Sequence, residues 1–201
     1  QQPNIYADIL GSGPWMSTVP ESGRHGSTLP NGETIRFGKE MDPMNGSRKA
    51  LSFQLAPSDP TTGGSKRVEL GFPRNIEYNK TYWIAVSVYV HDWGTLATND
   101  QSLFGFQLHN GTKIDLSPTI ALYTAGNGRR MKIQTRYSTS SSPSQSNSIT
   151  SNYAEQAIPF GRWMDFVIKF RNNVQGQGLA QVWLDGNQIV VQGADIRVAF
   201  D

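Results

Sequence analysis

An amide and an imidazole lie two residues apart in the stretch Ser102–Asn110, which reads S-L-F-G-F-Q-L-H-N. Its alternation predicts a strand with one apolar face, because successive side chains of a strand point to opposite sides. The side chains predicted to face the core are Phe104, Phe106 and Leu108. Gln107 and His109 then share the other face, about 7 Å apart at a rise of about 3.3 Å per residue. An imidazole transfers protons near neutral pH, so this pair could contact one sugar ring and act on it.

Long polar or aromatic side chains occupy one parity of several other predicted strands. They are Arg67, Glu69, Lys132, Gln134, Arg136, Gln181 and Trp183. Amides, cations, an imidazole and an indole on one face suit the binding of an anionic sugar chain through hydrogen bonds, charge and ring stacking. Each residue also has a plainer interpretation. The cations are then a solvated face, Arg67 and Glu69 a weak surface ion pair, and Trp183 a packing residue.

The apolar residues fall in short alternating runs, and no run shows three turns of helical periodicity. With 20 glycines and 11 prolines to make turns, this pattern predicts an all-β protein, an antiparallel β-sandwich of the jelly-roll (concanavalin A-like) type. We expect a single domain over residues 1–201, irregular over residues 1–32. The Ser-rich residues 138–157 are predicted to form a mobile loop long enough to close over a groove. His25 lies in the irregular opening, as a loop residue or as a substrate contact.

Composition excludes several classes of protein. A formal net charge of +2 is too small to predict a nucleic-acid partner. The absence of cysteine excludes disulfides, zinc-thiolate sites and thiol nucleophiles. No apolar run approaches the ~20 residues of a membrane span, so no membrane partner is expected. The opening Gln1-Gln2-Pro3 fits a start after a removed signal peptide, which predicts a secreted, extracellular protein.

Four short motifs, taken in order, resemble a known family. They are K-R-V-E-L at 66–70, Q-L-H at 107–109, F-G-R-W at 160–163 and V-W-L-D-G at 182–186. Over about residues 25–192 the chain resembles the β-jelly-roll polysaccharide lyases, and most of all the heparin lyase I and glucuronan lyase types. The resemblance implies β-elimination on a glycan that contains uronic acid.

The resemblance also implies roles for the residues in these motifs. Gln107 and Arg67 would neutralise the substrate carboxylate, Glu69 would orient Arg67, and His109 would be the base or its assistant. Such lyases usually carry a later strand of the form Y-x-K-x-G-x-Y that supplies a tyrosine acid, and none is found before Asp201. Either the sequence is a fragment, or another tyrosine serves, or the domain binds without cutting.

Two tyrosines could serve as that acid. Tyr123 lies on the same parity as the polar groups of its neighbours, and Tyr153 lies in the Ser-rich segment, from which it could swing in. We therefore predict a secreted, monomeric polysaccharide lyase that acts on an acidic polysaccharide and requires no cofactor. By the resemblance, it could carry a structural Ca²⁺ away from the groove. The alternatives are a non-catalytic carbohydrate-binding module and a structural sandwich domain of a larger surface or fibre assembly.

Overall fold

The computed structural model describes residues 36–54, 76–96, 103–108, 118–140, 142, 144–173, 175, 177–190 and 199–200. The chain divides into two compact units, residues 1–74 and residues 75–201. The single domain predicted for residues 1–201 stays a prediction. The irregular opening predicted for residues 1–32 lies outside the described residues.

A two-stranded hairpin is the described part of the first unit. Strands β1 (Arg36–Asp42) and β2 (Asn45–Gln54) pair antiparallel and are joined by a two-residue turn. The Asp42 carboxylate fixes the turn, because its Oδ1 accepts from the Met44 N–H at 2.8 Å and its Oδ2 lies 3.2 Å from Arg48 Nη2. Alternation at residues 33–37 and 50–55 predicts two strands with a polar turn between them. The turn is shorter than this pattern predicts, because polar residues between the two runs belong to the strands.

The described strands of the second unit form two sheets. They are β3 (Thr81–Tyr89), β4 (Leu103–Leu108), β5 (Ile120–Ala125), β6 (Arg130–Ser138), β7 (Ile149–Ala157), β8 (Trp163–Arg171), β9 (Leu179–Leu184), β10 (Asn187–Val190) and β11 (Ala199–Phe200). The first sheet has the antiparallel order β10-β9-β8-β3. The second has the order β11-β6-β5-β4, with β7 also paired to β6. All pairs of the second sheet are antiparallel except β11 with β6. The predicted all-β sandwich is confirmed.

One apolar core lies between the two sheets, and alternation in the sequence explains it. Met131 and Ile133 of β6 meet Phe166 and Ile168 of β8 in a single buried cluster. The ring of Phe106 packs edge-on against that of Phe166, with 5.6 Å between centroids. The side chains predicted to face the core from β4 all pack against this cluster: Phe104, Phe106 and Leu108.

Residues 149–157 form strand β7, so the loop predicted over all of 138–157 is wrong for this part. The strand forms because Tyr153 pairs with Ile133 in register and packs against the core. The turn before it is held by the Asn147 amide. Its Oδ1 accepts from the Ser144 N–H at 2.8 Å and from the Ser138 hydroxyl at 3.0 Å. A Ser-rich tract with few apolar residues can therefore still add a strand when its neighbour supplies the partners.

Trp93 closes one end of the sandwich against the β5–β6 turn. Its indole Nε1–H donates to the Gly128 carbonyl at 2.9 Å, and its ring packs edge-on against Phe104 and Phe160. Gly128 has φ +78°, and a Cβ atom there would lie 2.5 Å from Cγ of Leu96. Both the backbone conformation and the close approach of Leu96 require glycine.

We expect Gly128→Ala to lower the free energy of unfolding by about 2–5 kcal/mol, the sum of left-handed backbone strain and overpacking. Gly186→Ala is the matched control, since Gly186 has φ +81° but a Cβ atom there would meet nothing within 4 Å. Only the backbone cost of about 1–2 kcal/mol is expected there. Urea unfolding of the two variants measures both values. Equal losses in the two would show that the contact with Leu96 is not what demands glycine.

Candidate active site

A row of paired residues crosses the outer face of the second sheet. Gln107 of β4 pairs with Ala121 of β5, Ala121 with Gln134 of β6, and Gln134 with Asn152 of β7. Paired residues of neighbouring strands point to the same side, so the three amide side chains share this face. Ala121 is 0% exposed and carries only a methyl group, so it forms a low floor between Gln107 and Gln134.

Tyr123 and Lys132 form the next pair along the same face. Lys132 is only 8% exposed. Within the part of the chain that the structure describes, neither its ammonium nor the Tyr123 hydroxyl makes a hydrogen bond or an ion pair. Neither side chain has a structural partner there that would compete with a ligand. This pair therefore offers a hydroxyl and a positive charge for chemistry on a bound molecule.

A chain of hydrogen bonds holds Arg136 on this face. Its Nε donates to the Thr150 hydroxyl at 3.1 Å, and its Nη2 donates to Gln134 Oε1 at 2.9 Å. The Gln134 amide nitrogen donates in turn to Asn152 Oδ1 at 3.0 Å. Gln134 is 5% exposed and uses both ends of its amide, so it positions Arg136.

One nitrogen of the Arg136 guanidinium remains unsatisfied. Nη1 is buried and has no hydrogen-bond partner among the described residues. A buried donor without a partner costs roughly 1–3 kcal/mol. The guanidinium is fixed on two sides, and its positive charge has no acidic partner among the described residues.

Burial raises the pKa of the Tyr123 hydroxyl above its ordinary value, and the positive charge of Arg136 acts in the opposite direction. The hydroxyl is therefore protonated at neutral pH. In that state it can give a proton to a leaving group, whereas the removal of a substrate proton requires another residue.

A family model described as polysaccharide lyase matches residues 25–199. The chain belongs to the polysaccharide lyase family. Membership supports a lyase activity with a polysaccharide as substrate, and the match includes the whole of strands β4–β7, which carry the outer face described above. Searches of curated proteins and of solved structures gave no match.

Five of the residues predicted for the lyase site lie together on this outer face. They are Gln107, Tyr123, Lys132, Gln134 and Arg136. Met131 and Ile133 of β6 belong to the core cluster, and Lys132 and Gln134 lie on the other side of the strand, as its alternation predicts. Gln134 differs in one respect, because its amide is occupied by Arg136 and Asn152.

Other predicted site residues lie elsewhere or outside the described residues. Tyr153 faces the core side of the second sheet, on the opposite side from Tyr123. Trp183 lies on β9 of the first sheet, whose outer face points away from this site. The structure thus brings neither residue to the Tyr123 face. The remaining predicted residues fall outside the described part of the chain: His25, Arg67, Glu69 and His109.

Two residues that hold the side chains of this outer face were not found from the sequence. Thr150 and Asn152 hold Arg136 and Gln134 from strand β7. The sequence shows only that Thr150 and Asn152 alternate with Ser151 and Tyr153, which would place the two pairs on opposite faces of a strand. That signal is weak, because small polar residues occur on both parities of this tract.

Neither a metal cluster nor a membrane span is found in the described residues of the lyase. Among them, no three His, Cys, Asp or Glu side chains are grouped so as to hold a metal ion. No helix in that part of the chain is long and apolar enough to cross a membrane.

We expect the Tyr123 hydroxyl of the lyase to titrate at a higher pH than a free tyrosine, because its burial disfavours the charged phenolate and so raises its pKa. The measurement is the ultraviolet absorbance of tyrosinate, recorded against pH for the wild type and for Tyr123→Phe. The difference between the two curves isolates this residue. A difference centred below the pKa of free tyrosine would contradict the burial of the hydroxyl.

Proposed function

We propose that the protein cleaves a uronate-containing polysaccharide by β-elimination on the outer face of the second sheet. One observation carries this proposal. The guanidinium of Arg136 is fixed by two hydrogen bonds and has no acidic partner among the described residues, and it lies on the same face as Tyr123, whose hydroxyl has no partner there either. The guanidinium can neutralise the carboxylate of an acidic sugar, and the hydroxyl can protonate the leaving glycosidic oxygen.

The elimination divides into three tasks. A base takes the proton on C5 of the uronate, and the electrons of that C–H bond form a double bond between C4 and C5. The bond from C4 to the glycosidic oxygen breaks, and that oxygen receives a proton from Tyr123. Arg136 and Gln107 donate to the carboxylate while negative charge builds up on it, which lowers the energy of the carbanion-like state.

The resemblance to the jelly-roll lyases assigns the remaining tasks to residues outside the described part of the chain. His109 would be the base, and Arg67, oriented by Glu69, would be a second cation at the carboxylate. Two residues apart from Gln107 on one predicted strand, His109 would reach the same sugar ring. Tyr123 is preferred over Tyr153 as the acid because Tyr153 packs against the core.

The acidic character of the substrate is proposed from the charge of the face. Lys132 and Arg136 both lie on it, and neither forms an ion pair with an acidic side chain among the described residues. A substrate of the heparin or glucuronan type, a secreted location and a monomeric state belong to the same proposal, as does a structural Ca²⁺ away from the groove. No step of the elimination uses a metal.

The test is the ultraviolet absorbance of the conjugated double bond in an unsaturated uronate. Purified protein is incubated with polyglucuronate, alginate and heparin, and with dextran as a neutral control. We expect absorbance to rise with at least one acidic chain and not with dextran. Retention of an acidic chain on a native gel without any rise would favour the binding module instead. If absorbance does not rise and no acidic chain is retained, the result would favour the structural domain.

A further inference from the structure

Two tryptophans stack on the outer face of the first sheet. Trp83 of β3 and Trp183 of β9 lie with ring centroids 5.6 Å apart and planes at 22°. They reach toward each other across β8, which lies between their strands. Trp83 is 59% exposed although it lies within a regular strand, as its third residue. An indole so exposed on a flat sheet is unusual for a surface that meets only water.

Positive charge accompanies the two rings. Lys169 pairs with Trp83 in register, and its Nζ lies 4.9 Å from the centroid of the Trp83 ring. Arg171 is the next outward residue of β8. The acidic residue on this face of β8, Asp165, lies toward the other end of the strand, where its carboxylate accepts a hydrogen bond from Ser87. The tryptophans are thus flanked by cations, which gives this surface the opposite charge to an acidic glycan.

This tryptophan surface, defined by Trp83, Trp183 and Lys169, is separate from the candidate active site. Its residues alternate with core residues of the first sheet, whereas Tyr123 and Arg136 alternate with core residues of the second. The outer faces of two packed sheets point in opposite directions. A ligand on one face therefore does not contact the other.

We propose that the tryptophan surface is a second binding site for an acidic polysaccharide chain, on the side of the sandwich opposite to the cleavage site. The apolar face of a sugar ring packs against an indole, and its carboxylate pairs with the lysine beside that indole. The family supplies the class of ligand, since the protein acts on polysaccharide. The acidic character rests on the proposed function, but the site does not depend on the proposed catalytic residues.

The test compares a polymer with a short oligosaccharide of the same acidic glycan. In the background of Tyr123→Phe, to prevent cleavage, polyglucuronate or alginate is cast in a native gel and retardation gives a dissociation constant. We expect Trp83→Ala to weaken retention by about 3- to 10-fold, a loss of about one stacking contact. Trp83→Phe should recover part of it. With Tyr123 intact, the rate of cleavage of the short oligosaccharide should be the same for Trp83→Ala and the wild type.

Charge variants provide a second measurement that keeps both tryptophans. Lys169→Gln should weaken retention by the acidic chain and leave retention by a neutral chain, hydroxyethyl cellulose, unchanged. Lys80→Gln is the matched control, an exposed lysine paired with Glu77 at 2.6 Å, and should change neither. Unchanged retention in Lys169→Gln and in folded Trp83→Ala would overturn the second site. Because retention needs no cleavage, a protein without lyase activity would refute the proposed function and leave this test intact.

Discussion

Replacing Tyr123 by phenylalanine is expected to lower kcat on an acidic polysaccharide by about 10²- to 10⁴-fold, the usual contribution of a positioned general acid. The substitution removes the hydroxyl oxygen and keeps the aromatic ring. The hydroxyl makes no hydrogen bond to another described residue, so its loss should not change the free energy of unfolding by more than about 0.5 kcal/mol. KM should change little, because the proton is needed by the leaving group.

Tyr153→Phe is the control for this prediction. Tyr153 lies on β7, separated from β5 by β6 in the same sheet, but it faces the core, where it packs partly buried against the apolar cluster. Its hydroxyl has no task in the proposed elimination, so kcat should stay at the wild-type value. Full activity in Tyr123→Phe, or an equal loss in Tyr153→Phe, would contradict the assignment of the acid.

Arg136→Ala is expected to lower kcat/KM by about 10²- to 10³-fold, the cost of removing one preorganised donor from developing negative charge. Arg136→Lys should recover only part of the rate. Lysine keeps the charge, but it lacks the planar fork that binds Thr150 and Gln134 at the same time. Steady-state kinetics on the same polysaccharide measure both variants, and thermal unfolding confirms that both are folded.

Arg130→Ala is the matched control for Arg136. Arg130 is on the same strand and the same parity, but its guanidinium Nε donates to Glu155 at 2.8 Å, and the pair is exposed. Surface ion pairs of this kind contribute about 0–1 kcal/mol to stability, and this one has no task in the elimination. A loss of activity in Arg130→Ala as large as that in Arg136→Ala would show that the total positive charge matters, rather than the fixed guanidinium.

The alternation in the sequence predicts which side of its own sheet a residue occupies, and it does so well here. The outward positions of Lys132, Gln134 and Arg136 follow from the apolar residues between them. Alternation carries no information about which of two sheets a strand joins. Trp183 has the same pattern as Gln134 but lies on the other sheet. That distinction depends on long-range pairing, which a local pattern does not encode.

Strand β7 shows a second limit of sequence-based prediction. Residues 149–157 contain few apolar side chains, and their β conformation depends on pairing with β6. Thr150 and Asn152 accept hydrogen bonds from the side chains opposite them on β6, Arg136 and Gln134. Cross-strand pairs stabilise a sheet only once both strands are present. The network that fixes Arg136 therefore could not be predicted from either segment alone.

The mass of the products tests most directly whether the polysaccharide is cleaved by elimination at the Tyr123 face. An acidic polysaccharide is digested in water labelled with heavy oxygen, and the oligosaccharides are weighed by mass spectrometry. Elimination adds no water, so we expect every cut to yield an unsaturated end without label, and Tyr123→Phe to yield almost no product. Saturated products that carry one labelled oxygen per cut would show hydrolysis and contradict the proposed elimination.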